Sequence, residues 1–155
     1  MSYSYDMLEP NDDLNVALEE LTKVFAPLYT KNWVDNKAKE YGNPPFDMNV
    51  NTFAQMWFGK ALRIFMAYDD EDGKPVGYLI GIVFRPLQYR ASVFQIEDWY
   101  GGSNVIMGLF DYAKQATRFM GIDELWVSHD ATHWYPAPQG WVKIADTVIS
   151  RYSKK

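Results

Sequence analysis

The sequence predicts an α+β domain with helices on both faces of a central mixed sheet. Three observations predict it. Residues 62–99 have the pattern of three antiparallel strands, two amphipathic helical patterns precede this meander, and a strand, a glycine-bearing turn, a helix and a strand fill about residues 91–128. A strand–helix–strand unit of that length joins parallel strands by a right-handed crossover, so the sheet is mixed. With 155 residues, we expect a single domain over residues 1–155.

The first 27 residues predict one helix after a segment that is either a short strand or an ordered arm. That segment alternates apolar side chains at Tyr3, Tyr5 and Met7. Residues 11–13 then supply a capping side chain and acidic groups for a helix start. Apolar residues recur at helical spacing up to about residue 25, and we expect Pro27 to end the helix.

Residues 28–61 contain the second helical pattern. Residues 33–41 predict a short helix, and residues 42–45, Gly-Asn-Pro-Pro, predict a loop. Asn51 and Thr52 offer a cap for an amphipathic helix that continues to about Lys60.

The meander is predicted from two apolar runs, a tight turn and an alternating third run. Residues 62–68 and 76–84 are the apolar runs, and Asp72-Gly73 between them tolerates the positive φ of a hairpin turn. In residues 91–99, Val93, Gln95 and Glu97 alternate with Phe94 and Ile96.

The remaining chain predicts the helix and the parallel strand. Residues 100–104 form the glycine-bearing turn that opens a helix to Met120, and Gly121 is a natural stop. Residues 122–128 predict a strand, and residues 141–152 predict a final strand or pair of strands after the proline-containing segment 129–140.

Composition excludes several classes of function. The formal charge of -5 argues against a general nucleic-acid surface, because such surfaces neutralise phosphates. The chain has no cysteine, and its two histidines, His129 and His133, lie next to Pro136 and Pro138, so we expect no metal site. No apolar run reaches the ~20 residues of a membrane span and the N-terminus lacks signal-peptide features, so a soluble cytoplasmic protein is expected.

The order of elements, with the residues that fill it, resembles the GNAT acyltransferase superfamily over nearly the whole chain. The similarity is carried by residues 65–70 and 73–78, which resemble its second and third strands, and by residues 112–114 and 120–125, which resemble its third helix and fifth strand. Tyr135 with Gly140-Trp141 resembles the family's late tyrosine and Gly-Phe pair, although four residues separate them here and three are usual.

The resemblance implies acetyl-CoA as co-substrate, with its pyrophosphate held by backbone amides where the fourth strand turns into the helix. A helix N-terminus presents unpaired N–H groups to an anion. The family's pattern there is RxxGxG, and this chain lacks its leading basic or amide side chain; two glycines before a helix are also a common structural turn. The implied cofactor-binding residues are Trp99, Tyr100, Gly101, Gly102, Ser103, Asn104, Val105 and Ile106.

The resemblance also implies two catalytic side chains. Glu97 matches the position of the general base that takes a proton from the acceptor amine, and Asp98 is its neighbour on the opposite face. Tyr135 matches the general acid that protonates the departing thiolate, and His133 is a spare candidate for either role. A surface-facing carboxylate, a packed tyrosine and a packed histidine are the structural alternatives.

In the family, the first helices and their loop bind the acceptor. Here that region contains Asp35, Glu40 and Asp47, and such acidic lining with aromatic rings suits a cationic amine, of a small molecule or of a protein lysine. The expected substrate-binding residues are Tyr29, Trp33, Tyr41 and Phe46.

Two other functions stay open on the sequence. The imperfect loop and the 17% aromatic content also fit a GNAT-fold protein without activity, for example a phage-encoded one, that acts through a protein partner. A small-molecule or peptide binder on an unrelated α+β sheet is the third alternative. The sequence leaves the oligomeric state open, with a homodimer as one option.

Overall fold

A five-stranded mixed sheet forms the centre of the molecule in the computed structural model, which describes residues 2–43 and 49–127. Its strands are β1 (Tyr3–Leu8), β2 (Leu62–Asp69), β3 (Pro75–Phe84), β4 (Val93–Tyr100) and β5 (Glu124–Val127). They lie in chain order, with antiparallel pairs from β1 to β4 and a parallel pair between β4 and β5. The predicted α+β class, meander and parallel unit are therefore confirmed, and the open N-terminal segment is a strand.

Four α-helices flank the sheet: α1 (Leu14–Glu20), α2 (Ala26–Asn32), α3 (Val50–Phe58) and α4 (Ser103–Phe119). The expected stop at Pro27 is wrong. A π-helical turn at Leu21–Phe25 joins α1 to α2, and the Ala26 amide that follows bonds the carbonyl of Leu21. Pro27 then lies in the first turn of α2, where a helix tolerates a residue without an N–H donor.

The helical path continues past α2. A second π-helical turn spans Trp33–Lys37 and a 3-10 turn spans Ala38–Tyr41, so the predicted helix at residues 33–41 is present in distorted form. Gly42 ends it with a φ of 81°. Asn49, two residues earlier than expected, caps α3 by accepting a 3.1 Å hydrogen bond from the Thr52 amide.

Two apolar clusters lie on opposite faces of the sheet. The first packs the helical residues before Phe58 against β1, β2 and β3, with Phe25, Trp57 and Tyr78 among its buried members. The second packs α4 against the other face and includes Phe94 and Leu109. The sheet is thus covered on both sides, as predicted, and the edge where β4 meets α4 lies between the two layers.

Some predictions fall outside the described residues. These are the roles of Phe46, Tyr135 and the two histidines, and the final strand over residues 141–152. Within residues 2–43 and 49–127, no helix has the length and apolarity that a membrane crossing requires.

Candidate active site

A β-bulge interrupts β4 at Glu97. Ile80 of β3 pairs with Asp98, whereas the next residue, Gly81, pairs with Ile96. Glu97 is therefore the extra residue of β4 opposite β3. On its other side, β4 pairs with β5 from Val93 up to Ile96 within the described residues, so the bulge directly follows the last pair. Bulges leave a residue outside the ladder and re-aim its side chain, and they are common beside active sites.

The bulge reverses the side-chain alternation of β4. Ile96 points into the apolar cluster under α4, and Trp99 rejoins that cluster three residues later. Asp98 points to the other face, where its carboxylate accepts a 2.7 Å hydrogen bond from the Tyr78 hydroxyl. In a regular strand Asp98 would share the face of Ile96. The bulge thus keeps a carboxylate out of an apolar core.

Asp98 is held by side chains from two other elements. The Asn32 amide nitrogen lies 3.2 Å from each carboxylate oxygen, and the Lys37 ammonium lies 3.3 Å from Oδ1. Asn32 is 3% exposed, and its own oxygen accepts a 2.9 Å bond from Asn36. Burial and the nearby carboxylate raise the pKa of Tyr78 well above its usual range, so its hydroxyl stays a donor. This group of five residues, Asn32, Asn36, Lys37, Tyr78 and Asp98, is termed the Asp98 cluster.

Glu97 has a different environment from Asp98. The residue is exposed overall, but the surrounding protein desolvates its carboxyl group and raises its pKa, and the positive charge of Lys37 opposes that rise. Lys37 thus acts on the Glu97 carboxyl group through its charge and forms an ion pair with Asp98. The bulge breaks the alternation of β4, so the expectation that Glu97 and Asp98 lie on opposite faces stays a prediction.

The turn between β4 and α4 exposes a free helix start. Gly101 has a φ of 146°, a conformation that favours glycine, and Gly102 is the N-cap of α4. The carbonyl of Gly102 accepts the first helical bond, 2.9 Å from the Ile106 amide, and no side chain caps the helix. Residues 102–104 are exposed, the first turn contains no acidic residue, and a side chain at Gly102 would meet open space. An anion fits these amides.

The other side chains of the predicted cofactor stretch pack into the two cores. Trp99 forms an edge contact with Phe110, with ring centroids 5.5 Å apart, and Val105, in the first turn of α4, is buried in the second cluster. Tyr100 stacks on Tyr78 in the opposite cluster at 6.1 Å. Their packing fixes both ends of the turn, so that residues 102–104 form the open part.

Two of the predicted acceptor residues, Tyr29 and Trp33, lie in or next to the helix that carries Asn32 of the Asp98 cluster. Tyr29 is partly buried, with its ring 5.0 Å from Phe25 and 5.9 Å from Tyr78. Trp33 is partly buried in the second π-helical turn, beside Asn32. The backbone of Tyr41 ends the 3-10 turn, and Phe46 lies outside the described residues.

Sequence reasoning missed the Asp98 cluster apart from Asp98 itself. Asn32 and Asn36 have the i, i+4 spacing of one helical face, which was an available signal. The step of three from Ile96 to Trp99, in place of two, was a signal for the bulge. The described residues hold no group of three His, Cys, Asp or Glu side chains that could bind a metal.

No protein-family model matches this sequence, and no curated protein matches it in a sequence comparison. Solved structures with a similar fold do exist. An aminoglycoside acetyltransferase from an uncultured soil metagenomic sample, in complex with trehalose, is 15% identical with a TM-score of 0.64, and the similarity covers 97% of each chain.

Two further structures have the same architecture. Glucosamine-6-phosphate N-acetyltransferase from Arabidopsis thaliana is 12% identical with a TM-score of 0.64, over 98% of this chain and 99% of that one. A GNAT family acetyltransferase from Staphylococcus aureus is 11% identical with a TM-score of 0.58, over 98% and 100%. At these identities the similarity shows the fold.

Proposed function

We propose that this chain, which has the GNAT fold, is an acyl-CoA-dependent N-acyltransferase that moves an acetyl group from acetyl-CoA to a primary amine. The observation that carries the proposal is the meeting of two features at the end of β4. A bulge there isolates Glu97, and five residues later an uncapped, exposed helix start begins. The first feature offers a base and the second an anion site.

The start of α4 is proposed to hold the pyrophosphate of acetyl-CoA. Its amides are exposed at residues 102–104, and the partial positive charge of a 17-residue helix adds to their attraction for an anion. Gly102 leaves open space where a side chain would stand, so a phosphate can approach the backbone. When bound, the co-substrate supplies a thioester as acyl donor.

Glu97 is proposed as the general base. A base must be ionised to accept the proton that the acceptor nitrogen loses, and a pKa above the ordinary range makes the carboxylate a stronger base. Asp98 is unsuited to this task, because Tyr78, Asn32 and Lys37 occupy its oxygens. Tyr135 is proposed as the general acid that protonates the departing thiolate.

The acceptor is proposed to be a small-molecule amine or a protein lysine. Lys37 of the π-helical turn at Trp33–Lys37 pairs with Asp98, the neighbour of Glu97, and we propose that the acceptor nitrogen approaches from the side of α2 and this turn. Tyr29, Trp33, Tyr41 and Phe46 are proposed to line its path.

Calorimetric titration with acetyl-CoA tests the proposal. Gly102→Trp is the informative variant, because Gly102 has an extended backbone (φ -67°, ψ 164°) with open space around it, so the substitution blocks the amides without straining the fold. Gln115→Trp, at an exposed position in the same helix, is the matched control. We expect micromolar binding in the wild type and the control, and loss of binding in Gly102→Trp.

Glu97→Gln is the second variant. We expect it to keep acetyl-CoA binding and to lose about 10²–10⁴-fold in transfer to an amine acceptor, as for removal of a general base. A protein that shows no binding at millimolar acetyl-CoA contradicts the enzyme function. The absence of a basic side chain from residues 99–106 favours, in that case, a GNAT-fold protein that binds a partner without catalysis.

A further inference from the structure

Lys37 forms an ion pair with the carboxylate that directly follows Glu97 at the bulge of β4. Its ammonium lies 3.3 Å from Asp98, and Asp98 directly follows Glu97 in the strand. The contact joins the second π-helical turn to a strand 61 positions further along the chain, so it is a long-range tertiary link.

We propose that Lys37 is a positioning residue: Asp98 clamps its ammonium beside the bulge, and this fixed positive charge keeps Glu97 in the carboxylate form that removes the acceptor's proton. This inference rests on the proposed function and deepens it, because it assigns to the cluster beneath the bulge a task in the reaction.

The position of Lys37 is fixed by its surroundings. The Lys37 side chain is 31% exposed and the Asp98 side chain 13%, whereas the other ion pair of the described residues, Lys23–Glu19, is exposed at 71% and 63%. Exposed pairs within a helix contribute little, since water screens them. The Lys37–Asp98 pair is better shielded, and Tyr78 and Asn32 also hold the carboxylate in place.

The positive charge of Lys37 is needed because desolvation by the surrounding protein opposes ionisation of the Glu97 carboxyl group. Desolvation raises the pKa of its carboxyl group, and Lys37 lowers it. Among the described residues, the charged groups at this position are Lys37 from the π-helical turn and Asp98 from the strand itself. Tyr78 of β3 contacts Asp98 as a neutral hydroxyl. Without Lys37, no positive charge would balance the Asp98 carboxylate next to Glu97.

Carbon-13 NMR of labelled glutamate carboxyl groups tests the inference on the acetyl-CoA-free protein, with Glu97→Gln to assign the resonance. We expect Lys37→Met to move the titration midpoint of Glu97 to higher pH, and Lys37→Arg to restore it because arginine keeps the charge. Lys31→Met is the matched control, since it removes an equal charge from an exposed position of the adjoining helix. Met retains the helix propensity of Lys, and a thermal melt verifies the fold of each variant.

An unchanged midpoint in Lys37→Met would overturn the inference, and so would an equal shift in Lys31→Met, which would indicate a general charge effect. In an enzyme assay, Lys37→Met should move the acidic limb of the kcat/KM profile to higher pH. A limb that stays in place would also overturn it. The titration needs no ligand, so it separates this inference from the acetyl-CoA binding on which the proposed function depends.

Discussion

Asn32 shows how a single buried polar side chain organises its surroundings. Its amide nitrogen donates toward Tyr78 at 2.9 Å and toward Asp98 at 3.2 Å, and its oxygen accepts from Asn36. A buried polar group costs free energy unless its donors and acceptors are paired, and here both ends of the amide are paired. The residue therefore ties α2 to β3 and β4 at one defined position.

We expect Asn32→Ala to lower the free energy of unfolding by about 1 to 3 kcal/mol, because it leaves buried partners of the amide unsatisfied. Asn51→Ala removes the same side chain from an exposed position of α3 and should cost about 0.5 kcal/mol or less. Urea unfolding followed by tryptophan fluorescence measures both. Equal costs at the two positions would contradict a special role for Asn32.

Asp123 gives a residue-scale prediction for pH dependence. The amide and hydroxyl of Ser92 donate to its carboxylate at 2.9 and 3.0 Å, and these bonds hold the pKa of Asp123 below its usual range. A lowered pKa in the folded state stabilises the protein above the unfolded-state pKa, about 3.9 for aspartate, and this stabilisation is lost as the pH falls through the folded-state pKa.

Asp123→Asn should thus be less stable than the wild type at pH 7, and the difference should shrink as the pH falls below about 4. Denaturant unfolding at a series of pH values measures it. Asp111→Asn, which removes an equal charge from an exposed position of α4, is the control. A difference that persists undiminished in acid would argue against the charge of Asp123 as its cause.

At the scale of elements, local patterns predicted the regular parts of the fold and missed its irregularities. The hairpin between β2 and β3 follows from Asp72-Gly73, and Gly73 has the expected positive φ of 70°. The continuation past Pro27 depends on a π-helical turn, which no short-range pattern of side chains specifies. Irregular turns of this kind depend on how the finished helix meets the sheet.

The candidate site likewise contains residues that local sequence patterns predict and residues that they miss. Glu97 was predicted from its place near the end of a recognisable strand and from the family resemblance, and its role as a base stays a prediction. Lys37 was missed because its role depends on a contact with Asp98, which is distant in sequence and forms only in the folded chain. The roles of Tyr135 and of the acceptor residues remain predictions.

Gly77 of β3 has no side chain, and this allows the start of α4 to pack close against the sheet. A Cβ at this position would lie 2.5 Å from Cγ1 of Val105 and 2.6 Å from the carbonyl oxygen of Tyr100, which are closer than packed atoms approach. Those two contacts belong to the start of α4 and the end of β4. The glycine of one strand therefore sets the position of the exposed amides at residues 102–104.

Gly77→Ser should cost about 1 to 3 kcal/mol of stability through overpacking. It should also weaken acetyl-CoA binding, because the start of α4 must move. The same substitution at Gly102 meets open space and introduces a favourable capping side chain, so Gly102→Ser should be neutral or slightly stabilising. Thermal melts and the calorimetric titration compare the pair, and a Gly77→Ser protein with unchanged melting and binding would disprove the expectation.

At the scale of the whole molecule, the sheet separates two apolar cores, and different helices pack into each core. The first core depends on Trp57, which is 1% exposed and whose indole N–H donates to the Leu8 carbonyl at 3.0 Å. This side chain links α3 to β1. The second core depends on α4 and is separated from Trp57 by the sheet.

We expect Trp57→Ala to cost about 3 to 5 kcal/mol, the range for removal of a large buried aromatic side chain. Phe119→Ala removes an aromatic ring that is 94% exposed and should change stability by about 0.5 kcal/mol or less. Guanidinium unfolding followed by circular dichroism distinguishes the two. A small loss in Trp57→Ala would mean that the first core contributes little to the fold.

The order of the strands has a consequence for synthesis of the protein. Each described strand pairs with the strand that precedes it in the chain, so a chain that leaves the ribosome from its N-terminus adds every new strand to an edge that already exists. β5 differs from the other strands because it runs parallel to its neighbour, so it joins the sheet only after α4 has crossed it. β5, which pairs with β4 beside the bulge, is therefore the last described element that the nascent chain adds, against a sheet and a first core that are already in place.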